Sequence, residues 1–242
     1  MKTRILTLLL AFLCLTALAA CGKADTPYSL YNGAVKELNG DNRSFRAEVT
    51  MLITTQSPGS KTTDEISATL GVSGEDFSVT SEDHSLIYVD GHAYVSKENQ
   101  PKYKINMNRT DAINEAGFNP DATIPVLPKT SWADAKWSKD GDLRTVWLPI
   151  TEENLRVAAA ALLALEEKDL ESTTIEQVTA TITFDEKDRP VQLQTTIVMV
   201  ENEQASVTAE ITYRFLSVGN KDAVKLPEDA EEYEDYSGLI GG

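Results

Sequence analysis

Apolar and polar residues alternate along most of the chain, and this alternation predicts a large antiparallel sheet. Residues 45–54 follow the pattern with one exception, Leu52, and residues 206–215 follow it throughout. Successive side chains of a strand point to opposite faces, so each such strand has one apolar and one polar face. Strands of this kind pack one face on a core and expose the other to water. The pattern predicts about eight or more antiparallel strands.

Turn residues separate the alternating stretches and predict where the chain reverses. Asp90-Gly91 lies within "SLIYVDGHAYVS", and Asp140-Gly141 lies within "AKWSKDGDLRTVWLPI". Asp-Gly between two β-rich arms is a strong signal for a tight hairpin. Ser57-Pro58-Gly59 predicts a further turn between residues 45–54 and 65–72.

Two segments have the apolar spacing of helices. The first begins at Thr26-Pro27, an N-cap followed by a proline suited to the first helical position, and ends at Asn39-Gly40. The second is predicted to be capped by Thr151 and to end near Lys168. Residues 107–130 contain three prolines and are predicted to be irregular. The expected fold class is α+β, one curved antiparallel sheet with helices on its concave face.

The N-terminus has the organisation of a secretory signal peptide. A basic start, Met1–Arg4, precedes an uncharged run over residues 5–20. A membrane-spanning helix is the alternative, but it needs about 20 apolar residues. Residues 18–21, Leu-Ala-Ala-Cys, resemble a bacterial lipobox. This resemblance implies cleavage before Cys21 and lipidation of its thiol.

These signals divide the chain into four predicted parts. They are a removed signal peptide (1–20), a lipidated tether (21–26), a folded domain (27–232) and an acidic, flexible C-terminal tail (233–242). The expected location is extracytoplasmic, on the outer face of the cytoplasmic membrane or, in a cell that has one, at the outer membrane. The only predicted membrane contact is the lipid on Cys21.

The chain is strongly acidic, with a net charge of −16. Such a surface is repelled by nucleic acid, so no nucleic-acid partner is expected. The residues 228–236 could offer oxygens to calcium, but they lack the glycine turn of calcium loops, and a solvated chain end is favoured. The sequence identifies no protein partner.

Motifs for catalysis are missing from the sequence. There is no G-x-S-x-G, no P-loop and no H-E-x-x-H, so we expect no enzyme, no catalytic residue and no cofactor. In the predicted register, His84 and His92 lie on opposite faces, which disfavours a shared metal site. Trp132, Trp137 and Trp147 either line a ligand mouth or pack in the core and at the sheet edge, and the second is favoured.

The order of elements resembles a known family. The likeness lies in "SLIYVDGHAYVS" with "KYKINM", in "ATITFDEKDRPVQLQTTIVM" and in "VTAEITYRFLSVGNKDAVKLPEDA". Together with the lipobox, these segments resemble the LolA/LolB-like lipoproteins, and within them the small Gram-positive and mycobacterial surface lipoproteins. The resemblance implies an open half-barrel with a helical lid and a hydrophobic ligand, such as a lipid acyl chain, between the two. It assigns no individual ligand contact.

The strand faces supply candidates for the ligand-lining wall. The side chains expected on the concave face are Val49, Met51, Ile53, Leu70, Leu193, Ile197, Ile211, Tyr213 and Phe215. In a half-barrel the same surface can serve as core and as ligand wall. Two functions therefore stay open, the binding of a hydrophobic or amphipathic ligand and a non-enzymatic role in protein interaction or envelope sensing.

Overall fold

Twelve strands in a single sheet and three α-helices form the part of the chain that the structure describes. The computed structural model describes residues 26–121, 124–201 and 205–237. The helices are α1 (Pro27–Asn39), α2 (Arg109–Ala116) and α3 (Leu155–Leu163). The strands are β1 (Ser44–Ser57), β2 (Ser60–Ser73), β3 (Asp76–Thr80), β4 (His84–Val89), β5 (His92–Lys97), β6 (Tyr103–Asn106), β7 (Trp137–Asp140), β8 (Leu143–Trp147), β9 (Thr174–Phe184), β10 (Pro190–Glu201), β11 (Ala205–Val218) and β12 (Glu234–Asp235).

The strand order across the sheet is β12-β6-β5-β4-β3-β2-β1-β11-β10-β9-β8-β7. Every neighbouring pair is antiparallel except β12 with β6, which is parallel. The sheet is open, because its outermost strands, β12 and β7, do not pair with each other. The predicted α+β class, with an open antiparallel half-barrel sheet and helices packed against it, is confirmed.

One face of the sheet, which we call the inner face, carries the core. Val49 lies directly opposite Tyr213 on β11 and Ala68 on β2, and Ile211 lies opposite Met51 and Thr195. Directly paired residues point to the same side of a sheet, so the register collects the apolar positions of neighbouring strands on this face. The buried residues of all three helices belong to the same hydrophobic cluster, so the helices cover the inner face.

The two predicted Asp-Gly hairpins are present. Asp90 and Gly91 connect β4 to β5 with φ angles of 51° and 78°, the left-handed pair that a type I′ turn requires. Val89 pairs with His92 and His84 with Lys97, as the turn predicts. In the second hairpin, Asp140 pairs with Leu143, and Gly141 has a φ of 58°.

The helix predictions need two corrections. Thr151 does not cap α3; its N–H donates to Oδ1 of Asn154 (2.8 Å) in a preceding turn, and the helix begins at Leu155. The helix ends at Leu163, before Lys168, because Ala164 adopts a left-handed conformation with a φ of 54°. Residues 107–130 are not wholly irregular, since they contain α2, which Asn108 caps by accepting from the Asp111 N–H (2.9 Å).

The C-terminal segment differs from the predicted flexible tail in its first part. Residues 233–237 run along β6, where the N–H groups of Glu234 and Tyr236 donate to the carbonyls of Lys102 (3.1 Å) and Lys104 (2.8 Å). The Tyr233 and Tyr236 rings pack on Tyr94 and Tyr103. Residues 233–237 therefore cover the edge of β6. Backbone hydrogen bonds and contacts between tyrosine rings hold this acidic segment in place.

The N-terminal predictions lie outside the described residues. These are the signal peptide, Cys21 and the tether up to residue 25. The start of α1 is confirmed, with Thr26 as N-cap in a reciprocal capping box with Ser29. Across the described part of the chain, no helix has the length and apolar character needed to span a membrane.

Candidate functional site

The predicted ligand-lining residues share one surface. They come from four adjacent strands, β1, β2, β10 and β11, and the register places all nine on the inner face. The alternation of apolar and polar residues was enough to find this surface, because side chains two residues apart on a strand point to the same face. The residues brought together in this way are Val49, Met51, Ile53, Leu70, Leu193, Ile197, Ile211, Tyr213 and Phe215.

Six of the nine belong to the packed core. Val49, Leu70, Ile197 and Ile211 are at most 2% exposed, and Leu193 and Tyr213 are also buried. Burial raises the pKa of Tyr213, so its hydroxyl stays protonated at any physiological pH. All six belong to the hydrophobic cluster that also contains the buried residues of the three helices.

Beyond the covered part of the inner face lies an apolar area that is only partly buried. It consists of Met51 and Ile53 on β1, Ile66 on β2, Met199 on β10 and Val207 on β11, and we call it the open end. Ile66, which lies opposite Met51, is 46% exposed. The sequence-based candidates included Met51 and Ile53 and missed the other three, although the same alternation places those on this face. The partly buried Phe215 lies elsewhere, against Tyr213 and Phe45.

A polar margin follows the open end toward the tip of the β1–β2 hairpin. Ile53 pairs with Asp64, and Thr55 pairs with both Thr62 and Val207. The parity of the strands puts these polar side chains on the inner face, beside the apolar residues. The open end therefore changes from apolar to polar within two residues along β1 and β2.

Besides the α-helices, residues 117–121 and 124–135 cover part of the inner face, and hydrogen bonds attach them to α1. The Tyr31 hydroxyl accepts from the Leu127 N–H (2.6 Å) and donates to the carbonyl of Pro125. Asn39 bonds both backbone groups of Ile124, at 2.6 and 3.1 Å. Burial raises the pKa of Tyr31, which keeps the hydroxyl neutral and able to donate. The cover is held by specific bonds and does not rest on apolar contact alone.

A charged cluster fixes the other end of this cover. Asp121 accepts from Nη2 of Arg109 (2.7 Å) and also pairs with Arg43. Although burial alone raises it, the bonds from Arg109 and Arg43 bring the pKa of Asp121 below its ordinary value. Arg43 directly precedes β1 and Arg109 opens α2, so this carboxylate joins the cover to both elements.

The three tryptophans occupy separate places. Trp132 is buried, and its ring lies 4.3 Å from that of Tyr31 and 5.9 Å from that of Tyr28. Trp137 and Trp147 are each more than 40% exposed, and the β7–β8 register puts them on opposite faces of the sheet. The favoured interpretation, packing in the core and at the sheet edge, fits this arrangement.

The two histidines lie on opposite faces, as the register predicted. His84 shares the inner face with Leu86, whereas His92 lies one step out of phase, next to the inward-pointing Ala93. Burial and the nearby Lys97 lower the pKa of His84. Within residues 26–121, 124–201 and 205–237, no group of three or more His, Cys, Asp or Glu side chains is placed to hold a metal ion.

The geometry defines an α+β domain with a wide antiparallel sheet, whose apolar face is covered at one end and accessible at the other. Comparison with known proteins adds the following. No protein-family model matches the chain, and no curated protein matches it.

Several solved structures match at a probability of 1.00. A LolA superfamily protein from Nitrosomonas europaea has a TM-score of 0.27 and 10% identity, covering 84% of this chain and 99% of its own. A DUF1329 family protein from Desulfovibrio piger has a TM-score of 0.28 and 14% identity, covering 83% of this chain and 97% of its own. The ywiB protein from Bacillus subtilis has a TM-score of 0.25 and 8% identity, covering 77% of this chain and 99% of its own. TM-scores of this size carry no argument, and the fold class rests on the sheet and helices themselves.

Proposed function

We propose that this protein binds a hydrophobic or amphipathic ligand, such as a lipid acyl chain, at the open end of the inner face. One observation carries the proposal: Met51, Ile53, Met199 and Val207 are only partly buried, and Ile66 is 46% exposed, although all five continue the face that forms the core. A continuous apolar area that the protein's own elements leave accessible is typical of a binding surface.

The margin of the open end favours an amphipathic ligand. Asp64, Thr55 and Thr62 lie beside the apolar residues and can hydrogen-bond a polar group, while the chain of the ligand lies over Met51 and Ile53. Each methylene removed from water contributes about 0.8 kcal/mol. A chain of about ten methylenes would contribute about 8 kcal/mol, from which the cost of association is subtracted. The six buried candidates lie on the covered part of the same face.

Ile53→Glu is expected to weaken binding of an environment-sensitive fatty-acid analogue at least about tenfold, because a carboxylate is disfavoured on an apolar surface and lies next to Asp64. Thr54→Glu is the matched control, since Thr54 points to the outer face. The measurement is a fluorescence titration of the chain from residue 24 onward, after circular dichroism has shown that each variant is folded. If the folded parent showed no saturable binding, the ligand-binding proposal would be wrong, and binding of a protein partner at the open end would be favoured instead.

We further propose that the protein is a lipoprotein, anchored through Cys21 on the extracytoplasmic side of a membrane. The support is the lipobox-like sequence at residues 18–21 after a charged start and an apolar run. Residues 22–26 span less than roughly 20 Å when extended, at about 3.3–3.6 Å per residue. The sheet would therefore stay close to the lipid surface, where amphipathic ligands are concentrated.

Cys21→Ala is expected to abolish both the incorporation of a clickable fatty acid and cleavage after Ala20, because the thiol is the predicted acceptor. Labelling in cells followed by electrophoresis measures both effects. Cys14→Ala is the matched control, as Cys14 lies within the predicted signal peptide. Equal labelling of the Cys21→Ala variant and the parent would overturn the lipoprotein proposal.

A further inference from the structure

Strand β2 is much longer than its neighbour β3. All of β2, Ser60–Ser73, pairs with β1, whereas β3 pairs only with Thr69–Ser73. Residues 60–68 therefore have a strand on one side only, and no strand of the described chain occupies the other side. We call residues 60–68 the free edge.

The hairpin register shows which backbone groups the free edge presents. Ser57 pairs with Ser60 across the two-residue turn, so the even-numbered residues of β2 bond to β1. The odd-numbered residues Lys61, Thr63, Glu65 and Ser67 direct their N–H and C=O groups away from β1, and all four residues are exposed. An extended chain can pair with this row of donors and acceptors.

The step between the long and short strands forms an open cleft of about 820 Å³ beside the free edge. It is lined by residues 48–50, 65–69 and 80–83, which include the carboxylates of Glu48, Glu65, Glu82 and Asp83 and no lysine or arginine. Glu48 is ion-paired with Arg214 (3.3 Å). The other three carboxylates have no basic partner within the cleft, so the cleft attracts positive charge.

The two faces of an added strand would meet different surroundings. Residues opposite Glu65 and Ser67 would point to the outer face, toward the acidic side chains. Residues opposite Ile66 and Ala68 would point to the inner face, beside the apolar open end. A strand in which basic and apolar residues alternate satisfies both faces.

We propose that the free edge of β2 binds an extended, basic segment of another protein by strand addition, with lysine or arginine alternating with apolar residues. Backbone pairing supplies the attachment, and the acidic cleft selects the charge. A second copy of this chain fits less well. A register that opposes Lys61 to Glu65 offers only exposed ion pairs, which are worth little, against the repulsion of two chains of charge −16.

The test uses the full chain in non-ionic detergent and a fluorescent nine-residue peptide in which lysine and valine alternate. Fluorescence anisotropy is expected to show saturable binding, weakened at least tenfold by Thr63→Pro, which removes an outward N–H and leaves the bonds to β1 in place. Thr63→Ala, which keeps that N–H, should bind within twofold of the parent. A peptide with glutamate in place of lysine should not bind.

Charge is tested separately. Glu65→Lys should weaken binding about tenfold, whereas Glu176→Lys, the same charge change at an exposed position of β9, should leave it within twofold. No binding by the parent, full binding by Thr63→Pro, or equal loss in both lysine variants would each overturn the proposal. So would a dimer, seen by sedimentation without peptide, that Thr63→Pro dissociates, because the edge would then hold a second copy.

Discussion

Ile211→Glu is expected to unfold the domain, whereas Thr212→Glu, one residue further along β11, is expected to leave it folded. Ile211 is 2% exposed and lies on the inner face between Met51 and Thr195. Truncating a buried isoleucine already costs about 2–5 kcal/mol. A carboxyl group at this position adds the cost of burying a charge, or of keeping it protonated, without a partner. Together these costs approach the whole stability of a typical domain.

The control depends on the alternation of the strand. Thr212 points to the outer face, opposite Thr50 and Gln194, where a carboxylate can keep its water. The circular dichroism spectrum without denaturant shows whether Ile211→Glu is folded, and urea denaturation gives the free energy of unfolding of Thr212→Glu and of the parent. If Thr212→Glu proved the more damaging substitution, the assignment of inner and outer faces would be inverted.

Asp121→Asn is expected to lower the free energy of unfolding by about 2 kcal/mol. This is less than the about 3–5 kcal/mol for breaking a fully buried pair, because the Asp121 side chain is 34% exposed. The neutral amide would leave the guanidinium groups of Arg43 and Arg109, which are only 14% and 20% exposed, without their shared anion. Asp134→Asn, an exposed position of the same cover, is the matched control.

The same carboxylate predicts a pH dependence. The pKa of Asp121 is lower in the folded chain than its ordinary value of about 3.9, so the folded state favours the ionised form. Its contribution is fully present above that ordinary value and is lost as the pH falls through the lowered pKa of the folded state. Unfolding free energies of the parent and the two variants between about pH 2 and 7 test this. The parent and Asp134→Asn should lose more stability in acid than Asp121→Asn, and identical slopes for all three would contradict the role of Asp121.

Local patterns predicted the strands well, because the alternation of apolar and polar residues and the turn residues are both short-range signals. Asp90-Gly91 sets the turn, and the turn fixes the pairing of Val89 with His92. Helix α2 was missed because it buries only Ala112 and Ala116, which is too little apolar surface for a visible stripe. The end of α3 was placed too late because Ala164, a good helix former, adopts a left-handed conformation that local preference does not favour.

The candidate site was predictable as a face but not as an opening. Parity placed nine residues on one surface, yet the accessible part depends on where the cover ends. That depends on bonds between residues far apart in sequence, such as Tyr31 with Leu127 and Asn39 with Ile124. The spacing of apolar residues along the chain carries no information about such contacts. Leu193 and Met199 therefore look equivalent in the sequence, although the structure buries the first and leaves the second partly exposed.

The position of β1 beside β11 has a consequence for how the chain folds. Strands β1 to β6 pair with their sequence neighbours, and so do β7 to β11, which makes two consecutive meanders that can each begin to form locally. Within the sheet, the pairing of β1 with β11 joins the two meanders, and it opposes Phe45 to Val218, which are far apart in the described chain. Contacts of such long range are slow to form. Until β11 has paired with it, β1 has no partner strand on one side, and in that interval the chain is exposed to aggregation.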